Sequence, residues 1–388
     1  MMSGTTRTTS NPGAIAAPLL SRDFVLLLVM QAVFGICSST FFLLPKVVAA
    51  YWGGDALDIA LFAAAFGIGS VVAVPLIGPV VDRHGLRVPL VAACVLVMTS
   101  ALGFGAVVRG LGPLALVLRG LQGLAWTTVF SCGLVATTLV TPRDRIAQGL
   151  GLYGVSNLAT NAIAPAIAEP LFEQIGLAST FLLAAAFGAA SIPIAAAVRT
   201  ATPAGARAVS LRSLFAMARN LRLAAIAAIS GTCLALVLTF YQPYALDQGA
   251  WRVRTFFLGY TVGAVGIRVA SGRLIDRLGH RRSLVLAMLV YGVATAAMKL
   301  IAPGRLLGLG FAFGTAHGLF LPALLAFTVA GTDLPTRGRL LAVMNGCLMG
   351  GALFVPLLGS VVASIGYGDV FVASGVLMLA LTLLAPPT

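Results

Sequence analysis

Charged residues are scarce in this 388-residue chain: Asp, Glu, Lys and Arg together make up 9%, against about 25% in a soluble globular domain. That deficit excludes a soluble globule. It also excludes a nucleic-acid surface, because the +14 net charge has no polar face on which to gather. Cysteines are few, and Cys37, Cys94, Cys132, Cys233 and Cys347 sit in apolar runs without a CxxC pair, so neither a disulfide framework nor a thiolate metal site is expected. His84, His280 and His317 are too scattered for a metal site. There is no G-x-x-x-x-G-K-[ST] loop to cradle a nucleotide. Gly149, Gly151 and Gly154 fit G-x-G-x-x-G but open an apolar helix rather than follow a buried strand, so they read as close-packing positions. With no cluster of His, Asp or Ser/Lys groups at a membrane face, the chain is not expected to be an enzyme, and no cofactor is expected.

What fills the chain is hydrophobic residues, 59%, with 44 glycines. At about 20 residues per membrane-spanning helix this is material for about twelve spans and little else. Cutting at charges and Gly/Pro clusters places them near 24–50, 57–81, 88–108, 113–140, 146–168, 178–198, 222–246, 255–275, 283–302, 306–331, 339–363 and 370–386. Residues 1–22 form a polar tail ahead of a retained first span, since the first apolar run is too long for a signal-peptide core. The single linker is 199–221, with Arg199, Arg207, Arg212 and Arg219. It separates a six-helix bundle at 23–198 from a second at 222–388, giving an all-α membrane fold.

Basic residues resist translocation, and their distribution orients the spans. Arg83, Arg87, Arg143, Arg145, the linker arginines, the 273–282 cluster, Arg337 and Arg339 fall on one side; Lys46, Arg109, Arg252, Arg254, Lys299 and Arg305 fall on the other. Both termini are therefore expected in the cytoplasm. The preference for Arg over Lys suggests a GC-rich bacterial genome and hence a bacterial inner membrane.

Half a chain length separates two matching segments, Gly78-x-x-x-Asp82-Arg83-x-Gly85-x-Arg87 and Gly272-x-x-x-Asp276-Arg277-x-Gly279-x-Arg281. Pro142-Arg143 and Gln122-Gly123 recur at nearly the same offset as Pro335 with Arg337 and as His317-Gly318. Register and topology are kept, so the halves are parallel repeats about an axis along the membrane normal. With these residues in place the chain resembles the major facilitator superfamily, whose loop signature G-x-x-x-D-R-x-G-x-R it carries twice. A span-four signature, R-x-x-Q-G, is present as Arg119, Gln122 and Gly123. The span-five signature of drug/proton antiporters is only partly kept: Ala164-Pro165 stands for Gly-Pro and Ala168-Glu169 for a Gly pair.

The resemblance implies a secondary transporter that works by rocking two halves about a central site. The duplicated loop motif fits a gate: Gly78 would let span two approach span eleven, Asp82 would meet the positive end of that span, and Asp276 would act likewise against span five near Asp144 and Arg145. A basic loop obeying the positive-inside rule is the plainer alternative. The family's cavity is lined by spans one, four, seven and ten, which makes Gln31, Arg119, Gln122, Tyr241, Gln242 and His317 candidates for substrate or proton coupling, with Arg268 in span eight. For each, ordinary interhelical packing is the alternative. Asn157, Asn161 and Pro165 in span five and Asn345 and Pro356 in span eleven read as packing and bending positions. No carboxylate lies mid-way through span one, where many multidrug/proton antiporters of the superfamily carry one. A cavity that is neutral to positive favours a neutral, zwitterionic or anionic solute over a lipophilic cation. Proton-coupled efflux is the expected activity, in a monomer, with a small-molecule substrate, protons and the lipid bilayer as partners. Uptake by symport or facilitation is the alternative, and a receptor or scaffold a remote one.

Overall fold

The computed structural model describes residues 19–142, 145–200, 218–330 and 334–386. The described chain is helical, with no strand among the described residues. In chain order the long passages are α1 (Arg22–Thr40, continued through a 3-10 turn Phe41–Leu43 into Leu44–Tyr51), α2 (Ala56–His84), α3 (Arg87–Ala106), α4 (Pro113–Val140), α5 (Ile146–Gln174) and α6 (Gly176–Ala197). The second half holds α7 (Ala218–Asp247), α8 (Arg254–Leu278), α9 (His280–Ala297), α10 (Leu306–Val329), α11 (Leu334–Gly350, a 3-10 turn Gly351–Phe354, then Val355–Ile365) and α12 (Tyr367–Ala380). Most of the expected linker, 201–217, lies outside the described residues.

Inside a bilayer every backbone N–H and C=O needs an internal partner, which long apolar runs satisfy by forming helices. Ends are set by local chemistry. Asp55 caps α2 by accepting from the N–H groups of Leu57 and Asp58, while the Asp58 carboxylate accepts from Asp55 N, a reciprocal capping box. The same helix stops at Gly85, with φ of 71°, and its counterpart α8 stops at Gly279, with φ of 78°. Both lie in the left-handed region that glycine enters freely. The second glycine of the duplicated motif thus has a backbone reason: it turns each helix sharply into the next.

Packing repeats between the halves. In the first, α2 packs on α4 and α3 on α6; in the second, α8 packs on α10 and α9 on α12. A Cβ added at Gly69 would collide with the Gly120 carbonyl of α4, and one at Gly263 with the Phe311 carbonyl of α10. These two positions are half a chain apart and let backbones touch where lipid supplies no hydrophobic drive. Of the long helices, 10 are apolar enough to cross a membrane by composition. The other two, α5 and α8, carry Asn157, Asn161 and Glu169, and Arg254, Arg268 and Arg277, and they pack on each other across the halves. Glu169 and Arg268 spend their polarity on that interface, whereas Asn161 bonds to α1 and Arg277 is exposed. Further contacts between the halves join α2 to α11 and α1 to α7.

Candidate functional site: a cavity between the halves and its sealed end

Breaks in the helices place the site. Pro45, in the first turn after the 3-10 segment of α1, and Pro356, in the same place in α11, cannot donate to a continuing helix ladder, so each helix is interrupted at its 3-10 turn. Beside these breaks lies a cavity of about 130 Å³, lined by Pro45 at the first and by Ala352 at the second. Its wall is drawn from α1 (Phe42, Pro45), α2 (Phe62, Phe66), α4 (Arg119), α7 (Leu234, Leu238, Thr239), α8 (Phe257) and α11 (Leu348, Met349). Every lining group is carbon-rich except Arg119 and Thr239, and no carboxylate lines it.

Arg119 is half-buried six residues into α4, its guanidinium 4.7 Å from the Phe66 ring centroid, a cation–π contact. Its Nη1 donates to Gln122 Oε1 at 2.7 Å, while Arg119 Nε and Gln122 Nε2 are buried without a hydrogen-bond partner. An unpaired cation within a membrane span is costly unless it faces a cavity or a partner. Arg119 faces the cavity.

At the end of the cavity remote from Arg22 and Pro386, the halves are joined through buried polar groups. Lys46 on α1 and Glu169 on α5 are 2.7 Å apart and only 2% and 3% exposed. Glu169 is the one carboxylate among the described residues that is fully buried. Its oxygens also accept from the backbone N–H groups of Val253 and Arg254, both at 3.0 Å, where the start of α8 presents unsatisfied donors and a positive dipole end. Lys46 Nζ donates to the Trp251 carbonyl at 2.7 Å. Gln242 on α7 accepts from Lys46 N at 3.2 Å and donates to the Phe42 carbonyl at 2.6 Å. Phe42 and Phe257 stack across the halves, 5.6 Å between centroids, as the floor between this network and the cavity.

Several expected cavity residues are placed elsewhere. Gln31 is buried and accepts from Tyr153 OH at 2.6 Å; it ties α1 to α5 within the first half. Tyr241 is fully buried, stacked 4.1 Å from Phe256, with its hydroxyl donating to the Val253 carbonyl. Gln242 belongs to the sealed end. His317 lies in the second bundle, 6.1 Å from the Tyr260 ring and 6.0 Å from that of Tyr291, with Nδ1 lacking a partner. No α10 residue lines the cavity, because α10 is held against α8. Arg268 extends to Gly154 of α5, so the apparent G-x-G-x-x-G ends at a helix contact. Asn161 accepts from Ser39 Oγ at 3.1 Å, and Asn157 is buried on the same face. Pro165 lies inside α5, and Asn345 is half-buried ahead of the break in α11.

Among the described residues a Cβ at Gly78 would meet nothing within 4 Å, and Asp82, Arg83 and Arg87 are exposed; the side chains at 334–339 of α11, where the close approach is expected, lie outside the described residues. The halves are held at the opposite end in this conformation. Of the second copy, Arg277 is exposed and Arg281 Nε donates to the Pro386 carbonyl at 3.1 Å, tying down the chain end. The side chains at Gly272, Asp276, Arg337 and Arg339, and the whole of Arg143 and Asp144, lie outside the described residues. Sequence reasoning missed Lys46 with Glu169 as a pair. The available signal was one lysine and one glutamate beside prolines in otherwise apolar runs, on two spans of the same half.

The profile of the Major Facilitator Superfamily matches residues 24–304 and 252–387. Relatives include the multidrug resistance protein MdtG of Serratia proteamaculans, 26% identical over 330 residues (80% of this chain and 78% of that protein), and MdtG of Klebsiella pneumoniae, 26% identical over 332 residues with the same coverage. Among solved structures, the nucleoside transporter NupG superposes with a TM-score of 0.78 at 12% identity, over 94% of this chain and 98% of its own. The D-xylose-proton symporter gives 0.73 at 12% identity, over 92% and 96%.

Proposed function

The chain belongs to the major facilitator superfamily, and from that premise we propose that this secondary transporter exports a small neutral, zwitterionic or anionic organic solute in exchange for protons. Transport, rather than catalysis, is what family membership carries. The observation that supports the substrate class is the cavity wall: aromatic and aliphatic groups with Arg119 as its single cation and no carboxylate. Such a wall offers a lipophilic cation no counter-charge and offers an apolar anion both a surface and a charge. Export follows from the relatives named for multidrug resistance and from the partly kept span-five signature.

Arg83, Arg87, Arg199, Arg277, Arg281 and Arg282 flank the end that holds the termini, which by the positive-inside rule faces the cytoplasm of a bacterial inner membrane. The sealed end then faces outward, and the conformation is the one that loads from the cytoplasm. The working unit is a monomer, since each half supplies walls to one shared cavity. The duplicated motif is the cytoplasmic gate, closed when Asp82 reaches the start of α11. Protons enter the cycle through buried titratable groups, with His317 as the candidate in the second half.

The test is flux in proteoliposomes with and without an imposed pH gradient, comparing a fluorescent aromatic carboxylate, an uncharged dye and tetraphenylphosphonium. Gradient-driven movement of the anion or the neutral dye is expected. Tetraphenylphosphonium as the best substrate would overturn the substrate class, and flux indifferent to the gradient would overturn coupling.

A further inference from the structure

Two spans of the first half place a buried lysine and a buried glutamate side by side, yet the hydrogen bonds that complete them come from the second half. Glu169 accepts from the N–H groups of Val253 and Arg254, and Lys46 Nζ donates a hydrogen bond to the Trp251 carbonyl. We propose that Lys46 and Glu169 are positioning residues of the transport cycle: a latch that closes the outward end by gripping the backbone at the start of α8, and that must let go each time the cavity opens outward.

The chemistry is asymmetric. The ion pair itself lies within one half and survives opening, because α1 and α5 move together. What opening breaks is the grip on 251–254, three hydrogen bonds that each involve a charged group and so are about twice as strong as neutral ones. The α8 end favours a carboxylate over a neutral acceptor, since its two N–H donors point at the group and its positive dipole end stabilises negative charge there. Arg254 adds a further positive charge, its Nε 3.9 Å from Glu169. Closing also desolvates both partners, to 2% and 3% exposure, which couples their burial to the closed state. Opening returns them to water, so the latch has a built-in release. This reading goes beyond the export reading and needs no substrate.

The test uses the full chain in lipid nanodiscs, with Cys347, the one cysteine that is not buried, replaced by Ser. Spin labels at Leu111→Cys and Leu300→Cys, exposed near the outward end of the two halves, report the distance between those ends by double electron–electron resonance. Glu169→Gln and Lys46→Met are each expected to raise the outward-open fraction about tenfold or more, the size of shift that the loss of about 1.4 kcal/mol of differential stabilisation produces. Val253→Pro removes one donor on the second half while leaving both charges, at a φ of −66° that the proline ring accepts; it should shift the distance in the same direction. The double swap Lys46→Glu with Glu169→Lys restores the ion pair but points an ammonium at the α8 donors, so the outward end should stay open. A swap that recovers the wild-type distance would mean a merely structural pair within the first half, and unchanged distances in Glu169→Gln and Val253→Pro would overturn the latch. If Glu169→Gln fails to fold, Val253→Pro carries the test, because it leaves both charged side chains in place.

Discussion

The two ends of the cavity are built to different rules. At the end that the proposed orientation turns outward, the halves meet through backbone hydrogen bonds to an ion pair buried in the first half and through stacked rings, all drawn from single positions that the duplication does not repeat. At the other end, cytoplasmic in the proposed orientation, lies a motif that the duplication does repeat, and in this conformation its α2 copy is exposed, with no described residue within 4 Å of a Cβ added at Gly78. The repeat supplies a scaffold with a turn at Gly85 and at Gly279, and the singular residues hold one state of it. An alternating-access protein needs such a difference: two ends sealed by equivalent contacts would favour neither state, whereas unlike contacts give each state its own handle.

The sharpest break in that comparison comes from two glycines of one helix. Gly69→Leu drives a side chain into the backbone of α4, where a Cβ already has no room, and should abolish recovery of folded protein, since overpacking of this kind costs about 1–3 kcal/mol or more. Gly78→Ala, on the same helix at the cytoplasmic end, meets open space and should purify with a wild-type melting temperature. Its cost should appear only as slower transport, when the cytoplasmic end has to close.

Next in size is Arg119. Its hydrogen bond to a side chain is local, to Gln122, and it faces the cavity, so Arg119→Ala should leave the melting temperature nearly unchanged while lowering flux of the anionic probe by about tenfold or more, the effect of losing roughly 1.4 kcal/mol or more of interaction. Flux of the uncharged dye should fall less. Equal losses for both probes would assign Arg119 to structure rather than to recognition.

Much of the architecture was legible because lipid makes it so. With backbone bonding forced inward, long apolar runs leave little choice but helices, and the half-chain offset of Asp82 and Asp276 gives the pseudo-symmetry directly. The site was harder to see. Gln31, Tyr241 and Gln242 are cavity candidates because the resemblance lines the cavity with spans one and seven, yet a span's membership does not say which neighbour each of its faces meets, and all three are spent on helix contacts or on the seal. The cavity uses α2, α8 and α11, whose carbon side chains carry no distinguishing signal in a chain that is 59% hydrophobic. Glu169 was read as the loss of a glycine pair in a known signature. Its meaning depends on two N–H groups 84 and 85 residues away, which no periodicity can reveal.

A smaller effect is expected at the cytoplasmic end. Asp82 is exposed in this conformation, so Asp82→Asn should neither lower expression nor change the outward-end distance in the resting protein. It should slow transport several-fold, because the state it stabilises is the one not populated here. Unchanged transport rates would remove the gate role from the motif and leave only its backbone function at Gly85.

The smallest effect belongs to the chain's other lysine, and it is the control for the first. Lys299 Nζ lies 2.8 Å from Asp369 Oδ1, nearly the same separation as in the buried pair, but the two side chains are 53% and 58% exposed and both sit in the second half. Water screens the pair, and its geometry does not change when the halves rock, so it discriminates between no two states of the cycle. Lys299→Gln should leave the melting temperature, the outward-end distance and the flux at wild-type values. A shift in that distance comparable to the one expected for Lys46→Met would show that any loss of positive charge near the outward end opens it, and the distinction between a buried grip across the halves and an exposed contact within one half would no longer hold.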